Sequence, residues 1–212
     1  MDTHFWLKKW EANEIAFHLD QANPLLVEHF DSLELAPGSR VFLPLCGKTL
    51  DIPWLLSNGY SVVGAELSVI AIEQLFEQLG VVPTISPVGS LHHYSSTNID
   101  IFVGNLFDLS QPMLGPVDAI YDRAALVALP EDMRKRYTAH LIEITQTAPQ
   151  LLICFEYDQS VVAGPPFSIH SEEVQQHYQA TYALTPLANV SVDGGLRGKY
   201  PAQEQVWLLK QE

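Results

Sequence analysis

The sequence is poor in cysteine, and no apolar run in it is long enough to cross a membrane. Its two cysteines, Cys46 and Cys154, lie in separate strand-like stretches and form no CxxC pair. This excludes a disulfide scaffold and indicates a reducing compartment. The first residues mix polar and aromatic side chains, unlike the basic and then apolar stretches of a signal peptide. We therefore predict a cytoplasmic protein.

Positive charge is also scarce, because 11 Lys and Arg stand against 25 Asp and Glu and give a net charge of −14. Such a surface repels nucleic-acid phosphates and anionic lipids, so we expect neither nucleic acid nor a membrane as a partner. Hydrophobic residues make up 47% of the chain and charged residues 17%, which is typical of a globular protein. At 212 residues, we predict a single domain over 1–212.

Strand and helix signals alternate along most of the chain. Apolar runs predict seven strands, at 40–45, 60–65, 99–104, 117–121, 150–156, 183–192 and 205–210. Helical patterns predict helices at 5–18, 25–33, 50–56, 69–79 and 131–147. The last two strands have no helix between them, which indicates an antiparallel hairpin at the edge of an otherwise parallel sheet. The first two helices are expected to lie over the carboxyl edge or the flank of this α/β sheet.

Ligands bind at the carboxyl ends of the strands in an open α/β sheet, so the turns that follow the strands are the candidate site. Glu66 ends the second strand and stands 19 residues after Gly47 in the first turn. A carboxylate there can accept both hydroxyls of a ribose. The turn has no GxGxxG motif, so a ligand with a ribose but no pyrophosphate is favoured, such as S-adenosylmethionine. The alternative is that Glu66 is an ordinary surface carboxylate at a strand end.

Other residues of these stretches have simpler interpretations. Trp6 and Trp10 would share one helix face, and Trp6 is expected to pack rather than to bind a ligand. Lys48 follows Gly47 without the preceding glycine of a P-loop. Adjacent His92 and His93 have no further metal ligand at a suitable spacing, so we predict a solvated loop there and no metal site.

Six stretches of the sequence together resemble the thiopurine S-methyltransferase family. They are FWLKKWEANEIAFH from residue 5, RVFLPLCGKTLDIPWL from 40, VVGAELS from 62, NLFDL from 105, YDRAALVAL from 121 and GPPF from 164. The resemblance covers nearly the whole chain, and PLCGK and DRxALVA are its most distinctive parts. It implies a class I S-adenosylmethionine-dependent methyltransferase with a Rossmann-like mixed sheet, a helical N-terminal lid over residues 1–36, and a monomer.

The resemblance also assigns roles to individual residues. It implies that the donor S-adenosylmethionine, whose product is S-adenosylhomocysteine, is bound by Trp10, Leu45, Gly47, Glu66, Asn105, Leu106, Phe107 and Arg123. It implies that the methyl acceptor is bound by Phe17, Pro166 and Phe167, next to Pro165, with Arg197 as a second arginine on the acceptor side. Arg123 would lie between donor and acceptor. From the residues alone, Arg123 could instead be a structural partner of Asp122 or Asp118.

We therefore predict methyl transfer to the sulfur of an aromatic or heterocyclic thiol, with Arg123 as the catalytic residue. A cation beside the acceptor favours its anionic sulfur. One alternative keeps the donor and replaces the thiol with selenium, tellurium or another small nucleophile. Another is a non-catalytic sensor that binds S-adenosylmethionine. A dinucleotide oxidoreductase is disfavoured because the pyrophosphate fingerprint is missing.

Overall fold

The computed structural model describes residues 3–15 and 18–211, which form seven α-helices, three 3₁₀ turns and nine strands. The helices are α1 Thr3–Glu11, α2 Pro24–His29, α3 Asp51–Ser57, α4 Val69–Leu79, α5 Gln111–Leu114, α6 Glu131–Ile144 and α7 Ser171–Tyr178. The strands are β1 Arg40–Pro44, β2 Ser61–Glu66, β3 Thr84–Val88, β4 Leu91–Ser96, β5 Ile99–Val103, β6 Ala119–Arg123, β7 Gln150–Tyr157, β8 Ala183–Ser191 and β9 Ala202–Lys210.

All nine strands form one mixed sheet in the order β3-β4-β5-β2-β1-β6-β7-β9-β8. The five central strands, β5 to β7 in this order, are parallel, and the flanking pairs are antiparallel. The chain winds from β1 through β2 to β5 and then returns to the other side of β1 with β6. The order in which strands are added to the sheet therefore reverses between β1 and β6. The carboxyl ends of these two strands flank the crevice where this type of fold binds ligands.

Helices cover both faces of the sheet, which is why the central strands are apolar on both sides. On one face, α2, α3 and α4 pack on the strands through residues such as Leu26, Ile52 and Ile72. On the other face, α6 and α7 pack through residues such as Tyr137 and Tyr178. This three-layer arrangement confirms the predicted α/β class with a C-terminal antiparallel hairpin.

The predicted count of seven strands was too low. The additional strands, β3 and β4, form a hairpin on the edge of the sheet, and β4 pairs antiparallel with β5. The predicted solvated loop at His92 and His93 is therefore wrong, because both residues lie on β4. His93 stacks on Phe102, with ring centroids 4.7 Å apart, and its Nε2 lies 2.8 Å from a carboxylate oxygen of Asp100.

The first helix is shorter than predicted. It ends at Glu11 because Asn13 adopts a left-handed backbone conformation, with φ of 53°, and the amide of Glu14 turns back to the carbonyl of Lys9 at 2.8 Å. The short helices α5 and α7 were not predicted. None of the helices in the described part of the chain combines the length and the apolar character needed to cross a membrane.

Candidate active site

The turn after β1 and the carboxylate that ends β2 are joined directly. Glu66 is 6% exposed, and its two carboxylate oxygens accept the amides of Gly47 and Ser68, each at 2.8 Å. Burial raises the pKa of Glu66, while the backbone amides that it accepts oppose the rise. Glu66 is thus not a solvated strand-end carboxylate. It lies inside the edge of the sheet and holds the turn of the neighbouring strand.

The turn after β1 also packs closely against the N-terminal helix. Leu45 and Gly47 have positive φ values of 49° and 51°. A Cβ atom on Gly47 would lie 3.0 Å from Cζ2 of Trp10, which is itself 5% exposed. Glycine adopts this backbone conformation without strain, and its lack of a side chain leaves room for the ring of Trp10 without any shift. Trp6 is less buried than Trp10, and its ring packs edge-on against Phe5 with centroids 5.2 Å apart.

The loop after β5 is held from the side of α6. Asn105 is exposed, and its side chain accepts the amide of Phe107 at 3.2 Å. Leu106 is buried in the core, while its carbonyl lies 3.0 Å from Nε2 of His140. The ring of Phe107 lies beneath the guanidinium of Arg136, 3.8 Å from the ring centroid. The three residues predicted at adenine therefore differ in exposure, and Asn105 is the most accessible of them.

Arg123 ends β6, next to the turn after β1. Asp122 is buried and accepts the amide of Leu126 at 3.1 Å and the hydroxyl of Tyr137 at 2.7 Å. Asp118 accepts the amide of Arg40 at 2.7 Å. Neither carboxylate is bonded to Arg123, and among residues 3–15 and 18–211 no hydrogen bond or ion pair joins the side chain of Arg123 to another residue. Its backbone pairs with Ile153 of β7.

Two titratable groups that the sequence did not single out lie within electrostatic range of Arg123. Burial lowers the pKa of His18, which follows the N-terminal helix, and the charges of Lys48 and Arg123 lower it further. Burial raises the pKa of Glu204 on β9, and the charge of Arg123 opposes this rise. The charge of Arg123 thus acts on one group after the N-terminal helix and on one group of the C-terminal hairpin.

Asp51, the first residue of α3, connects this helix to the segment before α2 and to β6. Its carboxylate is 1% exposed and accepts the amide of Asn23 at 2.7 Å and the hydroxyl of Tyr121 at 3.1 Å. Asn23 precedes α2 and caps it, because its side chain accepts the amide of Leu25 at 2.9 Å. Tyr121 lies two residues before Arg123 and faces the same side of β6. No local sequence pattern indicates this role, because the three residues are far apart in the chain.

The loop predicted to bind the acceptor lies beyond β7. The carbonyl of Pro166 accepts the hydroxyl of Tyr157 at 2.6 Å, and the amide of Phe167 donates to the carbonyl of Val127 at 2.7 Å. Arg197 donates to the carbonyl of Pro165 at 3.2 Å, so the predicted second arginine does contact this loop. Phe17, the remaining residue predicted on the acceptor side, lies outside the described residues. No group of three or more potential metal ligands occurs within the described part of the chain.

The fold, with its candidate site at the point where the strand order reverses, is that of S-adenosylmethionine-dependent methyltransferases. A 1,6-didemethyltoxoflavin N1-methyltransferase from Burkholderia thailandensis, solved with bound S-adenosylhomocysteine, matches with a TM-score of 0.67 and 13% identity, over 99% of this chain and 87% of that chain. Magnesium protoporphyrin IX methyltransferase from Synechocystis PCC 6803, also solved with S-adenosylhomocysteine, matches with a TM-score of 0.61 and 13% identity, over 99% and 100%. At these identities the likeness shows the fold alone.

Sequence comparison specifies the family within this class. The profile of the thiopurine S-methyltransferase family matches residues 1–212. A thiopurine S-methyltransferase from Xanthobacter autotrophicus is 54% identical over 211 residues, which is 99% of each chain. One from Teredinibacter turnerae is 51% identical over 209 residues, covering 99% of this chain and 97% of that protein. The chain belongs to the thiopurine S-methyltransferase family and is a methyltransferase that uses S-adenosylmethionine.

Proposed function

We propose that this enzyme transfers the methyl group of S-adenosylmethionine to the sulfur of aromatic or heterocyclic thiols, as a thiopurine S-methyltransferase. The observation that carries the proposal is the position of Arg123, a cation at the end of β6, where the strand order reverses, whose side chain is bonded to none of the described residues. The relatives from X. autotrophicus and T. turnerae are likewise named thiopurine S-methyltransferase. The substrate of the proposal is a small molecule, and we propose that the enzyme is a cytoplasmic monomer.

The residues around the first turn fit the donor in their chemistry. A carboxylate can accept about four hydrogen bonds, so Glu66 retains capacity for the ribose hydroxyls while it holds Gly47 and Ser68. The indole of Trp10 is suited to a sulfonium cation, which aromatic faces attract. Gly47 lets the backbone approach closely because it has no side chain. Leu45 would contact the methionine part, and Asn105, Leu106 and Phe107 would border adenine.

The chemistry requires alignment more than acid or base catalysis. S-Adenosylmethionine, when bound, supplies a methyl group on a cationic sulfur that becomes neutral as the group leaves. Arg123 would stabilise the acceptor as its sulfur anion, since a neighbouring cation lowers the pKa of a thiol. Phe17, Pro166, Phe167 and Arg197 would hold the acceptor in line with the methyl group, and correct alignment supplies much of the rate. The N-terminal segment would exclude water.

The decisive experiment replaces Arg123. We expect Arg123→Ala to lower kcat/KM for a thiol by 10²-fold or more, on the order of 3 kcal/mol of lost electrostatic stabilisation. Arg123→Lys keeps the charge and should retain part of the activity. If Arg123 stabilises the anionic sulfur, the loss should be largest for thiols of high pKa and smallest for acidic ones. Calorimetry with S-adenosylhomocysteine measures any separate loss of donor affinity.

The outcome discriminates between the proposal and its alternatives. Full activity of Arg123→Ala toward a thiol, with normal donor binding, would contradict the proposed role. A panel of aromatic thiols should include selenite and tellurite, because turnover of these and not of thiols would make a chalcogen species the acceptor. Donor binding without turnover of any member of the panel would indicate a sensor.

A further inference from the structure

Gln159 closes the irregular segment between β7 and α7. Its side-chain nitrogen donates to the hydroxyl of Tyr157 at 2.9 Å and to the carbonyl of Val162 at 2.5 Å. Its side-chain oxygen accepts the amide of Ser168 at 2.7 Å. The side-chain amide of Gln159 therefore joins the end of β7 to the middle and the end of the segment that follows it.

Tyr157 extends this hydrogen-bond network to Pro166, in the loop predicted to bind the acceptor. Its hydroxyl accepts from Gln159 and donates to the carbonyl of Pro166 at 2.6 Å, and its amide donates to the hydroxyl of Ser168 at 2.9 Å. Tyr157 is 5% exposed, and burial raises the pKa of its hydroxyl, so the proton that it donates stays in place. A relay of two hydrogen bonds thus leads from Gln159 to the backbone of Pro166.

The two prolines of this loop explain why side chains must hold it in place. Proline has no backbone N–H, so Pro165 and Pro166 can be held through hydrogen bonds only at their carbonyl oxygens. Arg197 donates to the first of these carbonyls and Tyr157 to the second. The next residue, Phe167, donates its amide to Val127, which follows β6. Gln159 donates to the hydroxyl oxygen of Tyr157 and so directs the proton of that hydroxyl to the carbonyl of Pro166.

We propose that Gln159 and Tyr157 are positioning residues that fix Pro166 and Phe167 as one wall of the acceptor pocket. Neither residue is expected to touch the reacting atoms. Their effect is on acceptor affinity and on the choice between acceptors of different ring size, because a loosened wall accommodates different shapes with less discrimination. Donor binding depends on the turns after β1 and β2 and should be independent of them. The inference rests on the proposed function, since it assumes that the acceptor contacts this loop.

The test uses the full-length enzyme with Tyr157→Phe, Gln159→Met and the double variant. Tyr157→Phe removes one hydroxyl, and Gln159→Met keeps the length of the side chain but removes its hydrogen bonds. We expect each single variant to raise the acceptor KM about tenfold, with kcat changed less and the Kd for S-adenosylhomocysteine within about twofold of the wild type. The double variant should raise KM by much less than the product of the two effects, because both residues act through one relay.

The matched control is Gln78→Met on α4. Gln78 is exposed on a helix that contributes no residue to the proposed acceptor site, so the same substitution there should leave the acceptor KM unchanged. Amide hydrogen exchange at Phe167 and Ser168 should be faster in both test variants and not in the control. Unchanged acceptor KM despite faster exchange would overturn the inference, and so would an equal loss of donor affinity.

Failure of the proposed function gives a different result. If the wild-type enzyme methylates selenite and no thiol, the thiol proposal fails, while the same comparison of KM with selenite as acceptor still decides the role of Gln159 and Tyr157. If the wild-type enzyme methylates a thiol and the variants have wild-type KM for it, the inference alone fails.

Discussion

At the scale of single residues, Glu66 combines an observed structural role with a proposed binding role in one carboxylate. We predict that Glu66→Gln weakens binding of S-adenosylhomocysteine about 10- to 100-fold, on the order of 1–3 kcal/mol. Glutamine keeps one acceptor oxygen and replaces the other with an NH₂ donor, so it cannot accept the amides of both Gly47 and Ser68, and the turn and the proposed ribose contacts are both impaired. Calorimetry measures the Kd, and Glu73→Gln, at an exposed position on α4, is the control. An unchanged Kd would contradict the proposed role of Glu66.

Asp122 makes the stability of the enzyme dependent on pH. Burial raises the pKa of Asp122 from its ordinary value of 3.8 to about 6. Between these values the folded protein keeps a proton that the unfolded chain has lost. The contribution of this carboxyl is therefore fully present below pH 3.8 and is lost as the pH rises to about 6.

Asp122→Asn removes this titrating group, so a comparison with the wild type measures its contribution to stability. From pH 4 to pH 7, the unfolding free energy of the wild type should fall relative to that of the variant by on the order of 2–3 kcal/mol. Urea unfolding at several pH values gives both curves. A difference between the two proteins that stays constant over this range would show that Asp122 does not titrate there.

The residues proposed to bind the donor could be named from the sequence, but the residues that hold them in place could not. Gly47 and Glu66 could be named because the strand ends and the spacing between them are visible in the sequence. Asp51 was not, because its partners Asn23 and Tyr121 lie 28 and 70 residues away, and such distant pairs leave no local pattern. Gln159 looks like an ordinary polar loop residue until the fold brings Ser168 to it.

At the scale of elements, the same distinction applies. The buried parallel strands were predicted because they are long apolar runs. The hairpin of β3 and β4 was missed because it is short, lies at the edge and contains Ser, His and Pro residues, so no apolar alternation is visible. The short helix α7 was missed because it is mostly polar and buries only Val174 and Tyr178, one turn apart. Tertiary pairing and a single buried contact decide these elements, and neither is local.

The attachment of the N-terminal segment to the sheet can be tested at Asp51. We predict that Asp51→Ala lowers the unfolding free energy by about 2–4 kcal/mol, because the buried amide of Asn23 and the hydroxyl of Tyr121 lose their acceptor. Tyr121→Phe removes only one of these bonds and should cost about 1 kcal/mol. Denaturant unfolding measures both values. Equal stability of Asp51→Ala and the wild type would contradict the anchoring role, as would amide exchange at Asn23 that is no faster in Asp51→Ala.

At the scale of the whole molecule, the proposed donor site takes its residues from separate parts of the chain. Trp10 comes from α1, Gly47 from the turn after β1, Glu66 from β2, and Phe107 from the loop after β5. A ligand that contacts all of them binds the folded protein only, and so it stabilises the fold as a whole. The proposed acceptor site adds β6, the loop after β7 and the C-terminal hairpin. Binding of the donor should therefore be visible in the melting temperature of the entire protein.

S-Adenosylhomocysteine at about 100 times its Kd should stabilise the enzyme by about 2.7 kcal/mol. For a protein of this size that corresponds to a rise in Tm of roughly 5–10 °C. NAD should cause no comparable rise, because the turn after β1 has no glycine-rich motif for a pyrophosphate. In Glu66→Gln the same concentration of S-adenosylhomocysteine should give a clearly smaller rise, while Glu73→Gln should match the wild type. An equal rise with NAD, or an undiminished rise in Glu66→Gln, would show that the nucleoside is bound by other residues than those proposed.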